Sequence, residues 1–329
     1  MKRSTMVVVL VLAVIAAAGV YYFHFRAKPQ PPQAKLPDLI LRMPSDADTI
    51  AYADCAALRA SPFVARLITL LPAPERSKEY ADFVAATGFN YARDLDHLAI
   101  ATRQRQSNAT SLDAFAVAEG RFDRRRIASY LLRTGKLVSQ QNGVDAYEIP
   151  SSTGKALTVA FLSDERIAIS DGFPLASGVN PVSTAFPQAA RGRIARVAGS
   201  AVFVVAQVPT NKKAFGWASD QLESVRWLML AAQPQGDSLF LALDAECTSS
   251  VSAMNLSVTL EGLSALARAS LPKAGDDPSS LLLETFLRDK KITRTDNNVR
   301  ISVALDPPWL DALAKSAAPP AQKRPAKAR

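Results

Sequence analysis

This sequence offers few residues for histidine-dependent catalysis. Only two histidines occur, His24 and His97. His24 lies within a long apolar run. His97 alternates with Leu98 and Ile100 in a predicted strand, so we expect it on an exposed strand face. Neither a Gly-x-Ser-x-Gly elbow nor a complete P-loop accompanies them. With one usable histidine and two distant cysteines, the sequence also predicts no metal site, and it carries no cofactor motif.

Paired carboxylates are the remaining source of acid and base chemistry. Three pairs could in principle flank a glycosidic bond: Asp94 with Asp96, Asp164 with Glu165, and Asp276 with Asp277. Acids this close together on loops are usually solvated turn residues, and nothing in the sequence places any pair in a cleft. A hydrolase of an envelope polymer is therefore the alternative interpretation, and a non-catalytic protein is the main one.

The strongest polar feature is a cluster of four arginines near the start of a predicted helix: Arg121, Arg124, Arg125 and Arg126. Guanidinium groups bind carboxylates and phosphates in paired hydrogen bonds, so the cluster could bind an anionic polymer or headgroup. A solvated helix face is the other interpretation of the same residues.

The cysteines support two interpretations that spacing cannot separate. Cys55 and Cys247 are the only two, and they form no CxxC motif. In an exported protein they could form a disulfide. They could equally be two unlinked buried thiols.

The basic charge lies at the two ends of the chain. The net charge is +9, but residues 41–314 contain 29 basic and 29 acidic side chains and are neutral. The sequence therefore predicts no nucleic-acid partner for the body of the protein. The basic ends suit anionic lipid or a cell-wall polymer.

The N-terminus contains a 22-residue run, Ser4 to Phe25, without a charged residue. As a helix it would be about 33 Å long, against roughly 30 Å of bilayer hydrocarbon. The run continues into Tyr21, Tyr22 and Phe23, which favours a retained signal anchor over a cleaved signal peptide. We therefore expect a single-pass membrane protein with a cytoplasmic N-terminus and an extracytoplasmic body, while cleavage after Ala18 remains the alternative.

The body carries what resembles an internal duplication. In the first half, a strand from Asp96 is followed 23 residues later by Glu119-Gly120, closing a second strand. In the second half, a strand from Asp237 is followed 24 residues later by Glu261-Gly262. A predicted helix (123–134 and 279–290) and a hairpin follow in both halves, with turns at Asn142-Gly143 and Asn297-Asn298. Upstream, each half opens with a strand (48–55 and 201–208) and helical material, near 219–230 in the second half.

These patterns predict an α+β protein. An N-terminal transmembrane helix should precede two similar halves, each a mostly antiparallel sheet with helices on one face, in the order strand, helix, strand, strand, helix, hairpin. The predicted segments are an anchor (1–28), a Pro-rich linker (29–40), a first half (41–190), a second half (191–314) and a disordered basic tail (315–329).

The stretches YADCAALRASP, EYADFVAATGFNYARDLDHLAIA, FAVAEGRFDRRRI and FLSDERIAISD, within residues 48–175, resemble an uncharacterised family of bacterial signal-anchored envelope proteins, classed as a domain of unknown function. The resemblance implies an extracytoplasmic soluble body, with no catalytic residue or ligand to carry over. We therefore expect a membrane-anchored envelope protein that acts as a binding or scaffold module. An envelope protein, a lipid or a cell-wall polymer would be its partner.

Overall fold

The computed structural model describes residues 36–70, 78–104, 112–141, 144–150, 156–175, 188–208, 223–270 and 278–317. Within these ranges twelve strands form one sheet, and every strand pairing is antiparallel. The strands are β1 (Thr49–Asp54), β2 (Leu95–Gln104), β3 (Leu112–Gly120), β4 (Lys136–Gln141), β5 (Val144–Pro150), β6 (Ala156–Ser163), β7 (Arg166–Asp171), β8 (Val202–Gln207), β9 (Val225–Gln235), β10 (Ser238–Cys247), β11 (Lys291–Thr295) and β12 (Asn298–Leu305). Their order across the sheet is β11-β12-β10-β9-β8-β1-β2-β3-β7-β6-β5-β4.

Nine α-helices and one 3₁₀ helix (Asp38–Arg42) lie in the described ranges. The α-helices are α1 (Cys55–Ala60), α2 (Pro62–Leu70), α3 (Lys78–Thr87), α4 (Tyr91–Asp94), α5 (Arg124–Thr134), α6 (Gln188–Val197), α7 (Ser250–Ser270), α8 (Pro278–Asp289) and α9 (Pro307–Ala317). Side-chain caps fix several starts: Asp123 accepts a hydrogen bond from the Arg126 amide at 3.0 Å, and Ser249 accepts one from the Ser252 amide at 3.1 Å.

The two faces of the sheet are covered differently. The first face carries Tyr52, Val117 and Phe203, and it packs against the 3₁₀ helix and α6 in the largest hydrophobic cluster. The second face packs against α2 and α9, against α7, and against α5, in three separate clusters. Helices therefore lie on both faces of the sheet.

The predicted arrangement of two similar halves, each with helices on one face, is wrong. One sheet runs through both halves, because β1 pairs with β8. Counted from β8, the described elements are three strands, two helices and a hairpin, whereas four strands follow α5 in the first half. The described part of the second half therefore does not repeat the first. The region near 219–230, predicted as a helix, contains the start of β9. Residues 256–262, predicted as a strand, lie inside α7.

The predicted membrane-spanning segment lies outside the part of the chain that the structure describes. Within the described ranges, no helix combines the length and apolarity needed to cross a bilayer. The run Ser4 to Phe25, the linker up to Lys35 and the tail from 318 onward lie outside the described residues.

The two predicted hairpins form, but the predicted turn residues of the second one are wrong. The strand pairs β4–β5 and β11–β12 form as predicted. The second turn is made by Asp296 and Asn297, with Asp296 at a positive φ of 51°, rather than by Asn297 and Asn298. Asn142-Gly143 lies outside the described residues.

Candidate functional site

Two arginines of the predicted cluster form ion pairs with carboxylates of the same chain. Arg124 contacts Asp145 at 3.0 Å and Asp164 at 3.5 Å, and its guanidinium lies 5.3 Å from the centre of the Phe161 ring. The Nε atom of Arg126 is 3.4 Å from the Asp123 carboxylate. The Arg124 contacts fix the start of α5 to the neighbouring strands, and the Arg126 contact lies within the first turn of the helix. Both have a structural role.

The other two members lie at the surface. Arg121 donates a hydrogen bond to the Arg93 carbonyl, and its Nε atom is 3.6 Å from the Asp94 carboxylate. Arg125 is exposed. The structure therefore places one arginine of the four on the surface without tying it to a carboxylate in a described ion pair, and an anionic partner at the cluster stays a prediction.

Asp94 is the carboxylate on which this region depends. It is buried, its oxygens accept hydrogen bonds from Arg93 at 2.8 and 2.7 Å, and the Asn90 amide donates another at 2.9 Å. The hydrogen bonds from Arg93, opposed in part by burial and assisted by Asn90 and Arg121, lower the pKa of Asp94 to about 2.

This lowered pKa predicts an acid-sensitive contribution to stability. A carboxyl group with a lower pKa in the folded state stabilises the fold above its unfolded pKa of about 3.9, and the contribution is lost as the pH falls towards 2. Asp94→Asn should therefore lower the free energy of unfolding at pH 7 and flatten its decline between about pH 4 and pH 2. Urea unfolding across this range measures both effects. Glu165→Gln, at an exposed turn, is the control. An unchanged slope in Asp94→Asn would contradict the assignment.

The remaining acids do not form a paired catalytic site among the described residues. Asp96 is ion-paired with Arg59. Asp164 and Glu165 lie exposed in the turn between β6 and β7. Asp276 and Asp277 lie outside the described residues. The partners of Asp94 and Asp96 are arginines of the same chain, so each carboxylate already takes part in an ion pair that stabilises the fold.

The two cysteines are free and far apart. Cys55 follows β1 next to the start of β8, where Val202 pairs with Ala232. Cys247 pairs with Val225 at the other end of β9. Seven residues of strand separate these two positions, about 23 Å, which is far beyond disulfide reach. The disulfide interpretation is therefore wrong for this fold, and burial raises the pKa of Cys55 to about 11 and also raises that of Cys247.

A row of charged side chains that sequence analysis missed crosses the rim of the first face. His97 lies between Glu119, with Nδ1 3.5 Å from Oε2, and Asp54, with Nε2 3.8 Å from Oδ1. The Arg166 side chain joins Glu119 to Asp38 of the 3₁₀ helix, at 2.9 Å from the latter. The row links four strands to the helix that covers them, and no group of three or more potential metal ligands occurs in the described part of the chain.

The most unusual surface is an apolar row on the second face. Strand register aligns one apolar residue from each of the twelve strands: Ile292, Ile301, Leu243, Leu230, Val204, Ala51, Ile100, Ala116, Ile169, Val159, Tyr147 and Leu137. We call these twelve residues the apolar row. A sheet face that meets water normally carries polar side chains, so an unbroken apolar row needs an explanation.

The apolar row is only partly covered. Leu230, Val159 and Tyr147 are buried, Leu137 is exposed at the sheet edge, and the other eight residues are partly exposed. By contrast, the adjacent residues on the first face, such as Ile50, Ala99 and Val117, are at most 1% exposed. Exposed apolar surface of this continuity is typical of binding sites.

The neighbouring rows extend this uncharged surface in the middle of the sheet. Ala53 pairs with Leu98 on one side of the apolar row, and Thr49 pairs with Thr102 on the other. All four are partly exposed, and none is charged. Water-exposed side chains in the centre of the second face are therefore apolar or carry a single hydroxyl.

A separate open pocket of about 400 Å³ lies at the start of α7. Its lining is mostly hydroxyl and amide side chains, with one carboxylate: Glu223, Ser224, Thr248, Ser252, Asn255, Leu256 and Thr259. A single carboxylate does not supply the acid and base that a glycosidase requires.

Comparison with known proteins gives structural likenesses alone. No family model matches this chain, and no curated protein matches it. Two crystal forms of TP0453, forms I and III, are similar with TM-scores of 0.46 and 0.47 and sequence identities of 11% and 12%. They cover 86% of this chain and 99% and 98% of the TP0453 chains.

Proposed function

We propose that this protein is a non-catalytic binding module and that the apolar row binds the hydrocarbon chain of an amphiphile. The observation that carries the proposal is the alignment of twelve apolar residues, one from each strand, with eight of them partly exposed. Each Å² of apolar surface removed from water contributes roughly 25 cal/mol, so the row favours an apolar occupant.

The shape of the row favours a long, thin ligand. From Ile301 on β12 to Ile169 on β7 it crosses seven strand spacings, or about 34 Å. Ala51 and Ala116 alternate with the larger Val204 and Ile100, which leaves shallow depressions along its length. None of the twelve side chains carries a charge, and Tyr147, the one with a polar group, is buried. A hydrocarbon chain has no hydrogen-bonding groups, so it needs no polar partners in the row.

A helix from a protein partner fits the row less well. Where the row crosses β10, α2 and α9 share a cluster with Leu241, and α7 shares one with Ala245, two residues to either side of Leu243. These flanking positions are only about 13 Å apart along the strand. A third helix, about 10 Å across, does not fit between helices already seated there.

Ligand-chain length is the direct test of the proposal. The full chain is titrated with a dansyl-labelled fatty acid, and unlabelled fatty acids of increasing length compete for it. Each added methylene should improve the competing affinity about fourfold, from about 0.8 kcal/mol per buried CH₂, until the row is filled. Competition that does not depend on chain length would contradict the proposal.

Substitution within the row locates the site. Ala51→Leu and Ala116→Leu fill the depressions, and overpacking that costs about 1–3 kcal/mol should weaken binding by about fivefold to more than a hundredfold. Ala81→Leu is the matched control, because Ala81 is exposed on α3 and gains the same volume. If all three variants bind as the wild type does, the ligand lies elsewhere. If the variants have the circular dichroism spectrum of the wild type, a loss of binding is caused by the change at the site and not by unfolding.

A further inference from the structure

Helix α7 has two apolar sides, and only one of them faces the sheet. Ala253 and Leu256 are buried in a cluster with Ala245 and Val299. Five large apolar side chains of the same helix are exposed: Val251 (61%), Met254 (47%), Val258 (63%), Leu263 (45%) and Leu266 (65%). Four of them are spaced at intervals of three, four and eight residues, which places them along one side of the helix: Val251, Met254, Val258 and Leu266. We call these four residues the outer stripe.

Helix α7 as a whole is almost free of charged residues. Glu261 and Arg268 are the only charged residues among the 21 of α7. A surface helix normally presents charged residues to water, and a helix that is apolar on both sides is normally buried. The outer stripe therefore has the composition of a contact surface.

Basic residues adjoin this helix. Edge strand β11 lies beside α7, because Ile292 packs against the same cluster as Ala253. Arg294 lies on β11 on the same face as Ile292, Lys290 directly precedes this strand, and Arg268 lies in the last turn of α7. Arg268 is close enough to Lys290 that burial and this neighbouring cation together lower the pKa of the lysine, with Glu261 acting in the opposite direction.

We propose that α7 docks the protein on an anionic bilayer surface. The outer stripe enters the boundary between headgroups and acyl chains, and Arg268, Lys290 and Arg294 face the anionic headgroups. An apolar helix side bordered by cations is the pattern of helices that lie in the membrane interface. The cations select an anionic surface over an uncharged apolar protein partner. This site is separate from the apolar row, which lies on the sheet.

An environment-sensitive label on the outer stripe tests the docking. Met254→Cys in the full chain is labelled with the fluorophore NBD for a short time at neutral pH. Burial raises the pKa of both native thiols, so Cys55 and Cys247 react slowly. The matched control is Leu132→Cys, because Leu132 is 55% exposed on α5, a different helix. Any vesicle binding through another part of the chain is the same for both labelled proteins.

Vesicles of phosphatidylcholine with phosphatidylglycerol should brighten the label at position 254 and shift its emission to the blue. The label at position 132 should not respond, and pure phosphatidylcholine should give a much smaller change at 254. Reversing the charge with Arg294→Glu should raise the lipid concentration needed by about fivefold or more. Equal responses at 254 and 132, or no response at 254, would overturn the proposal and leave fatty-acid binding in the apolar row unaffected.

Discussion

Phe203→Ala is expected to lower the free energy of unfolding by about 3–5 kcal/mol. Phe203 is fully buried on the first face, and its ring stacks on Tyr52 with the ring centres 5.3 Å apart. It belongs to the cluster that joins the sheet to the 3₁₀ helix and α6. Removing the ring costs its transfer free energy and leaves a cavity that so many fixed neighbours cannot close. Urea unfolding followed by far-UV circular dichroism measures the change.

The next residue along β8 provides the comparison. Val204 points to the second face, belongs to the apolar row and is partly exposed. Val204→Ala should therefore cost about 1 kcal/mol or less, because part of the side chain already contacts water. Similar costs at the two positions would mean that the second face is as well packed as the first. The apolar row would then be core and not a binding surface.

Local signals in the sequence were enough to predict the helices and strands in much of the first half. The helix after β3 begins and ends where predicted, because Asp123 caps it and Gly135 ends it. Strands β2 and β3 and the hairpin of β4 and β5 also form as predicted. Each of these features is decided by residues within about a dozen positions of one another.

The errors in the second half arise where periodicity is ambiguous. Strand β9 carries an unbroken apolar run from Trp227 to Ala232, and from Met229 onward this run is buried on both faces of the sheet. The run therefore has no polar–apolar alternation to distinguish it from a helix. Leu256, Val258 and Leu260 alternate over a short window. Over the full helix, Ala253, Leu256 and Leu260 follow the spacing of a helical face. The longer window would have given the correct assignment.

The candidate site could not be found from the sequence. The apolar row combines residues from twelve strands, and a shift of one residue in any pairing would turn a side chain to the opposite face. The same holds for the row of His97, Glu119 and Asp54, which needs the register of three strands. The predicted exported, membrane-anchored placement depends on residues 1–28, outside the described residues, and stays a prediction.

Gly120→Ala is expected to destabilise the fold by about 2–3 kcal/mol or more. A Cβ atom at this position would lie 2.2 Å from the backbone oxygen of Asp94. That oxygen accepts a hydrogen bond from the Arg121 amide at 2.8 Å, and the Gly120 amide donates to the Glu165 carbonyl at 3.0 Å. The obstacle is backbone held on several sides, so it cannot rotate away as a flexible side chain would.

Gly262→Ala should have the opposite effect in the same protein. Gly262 lies inside α7, and a Cβ atom there would meet nothing within 4 Å. Replacing glycine by alanine in a helix interior stabilises it by about 1 kcal/mol, because the unfolded chain loses conformational freedom. Urea unfolding of both variants should give a midpoint below that of the wild type for Gly120→Ala and above it for Gly262→Ala. A destabilised Gly262→Ala would mean that the outer side of α7 is occupied in the free protein. In that case α7 would not be available to dock on a bilayer.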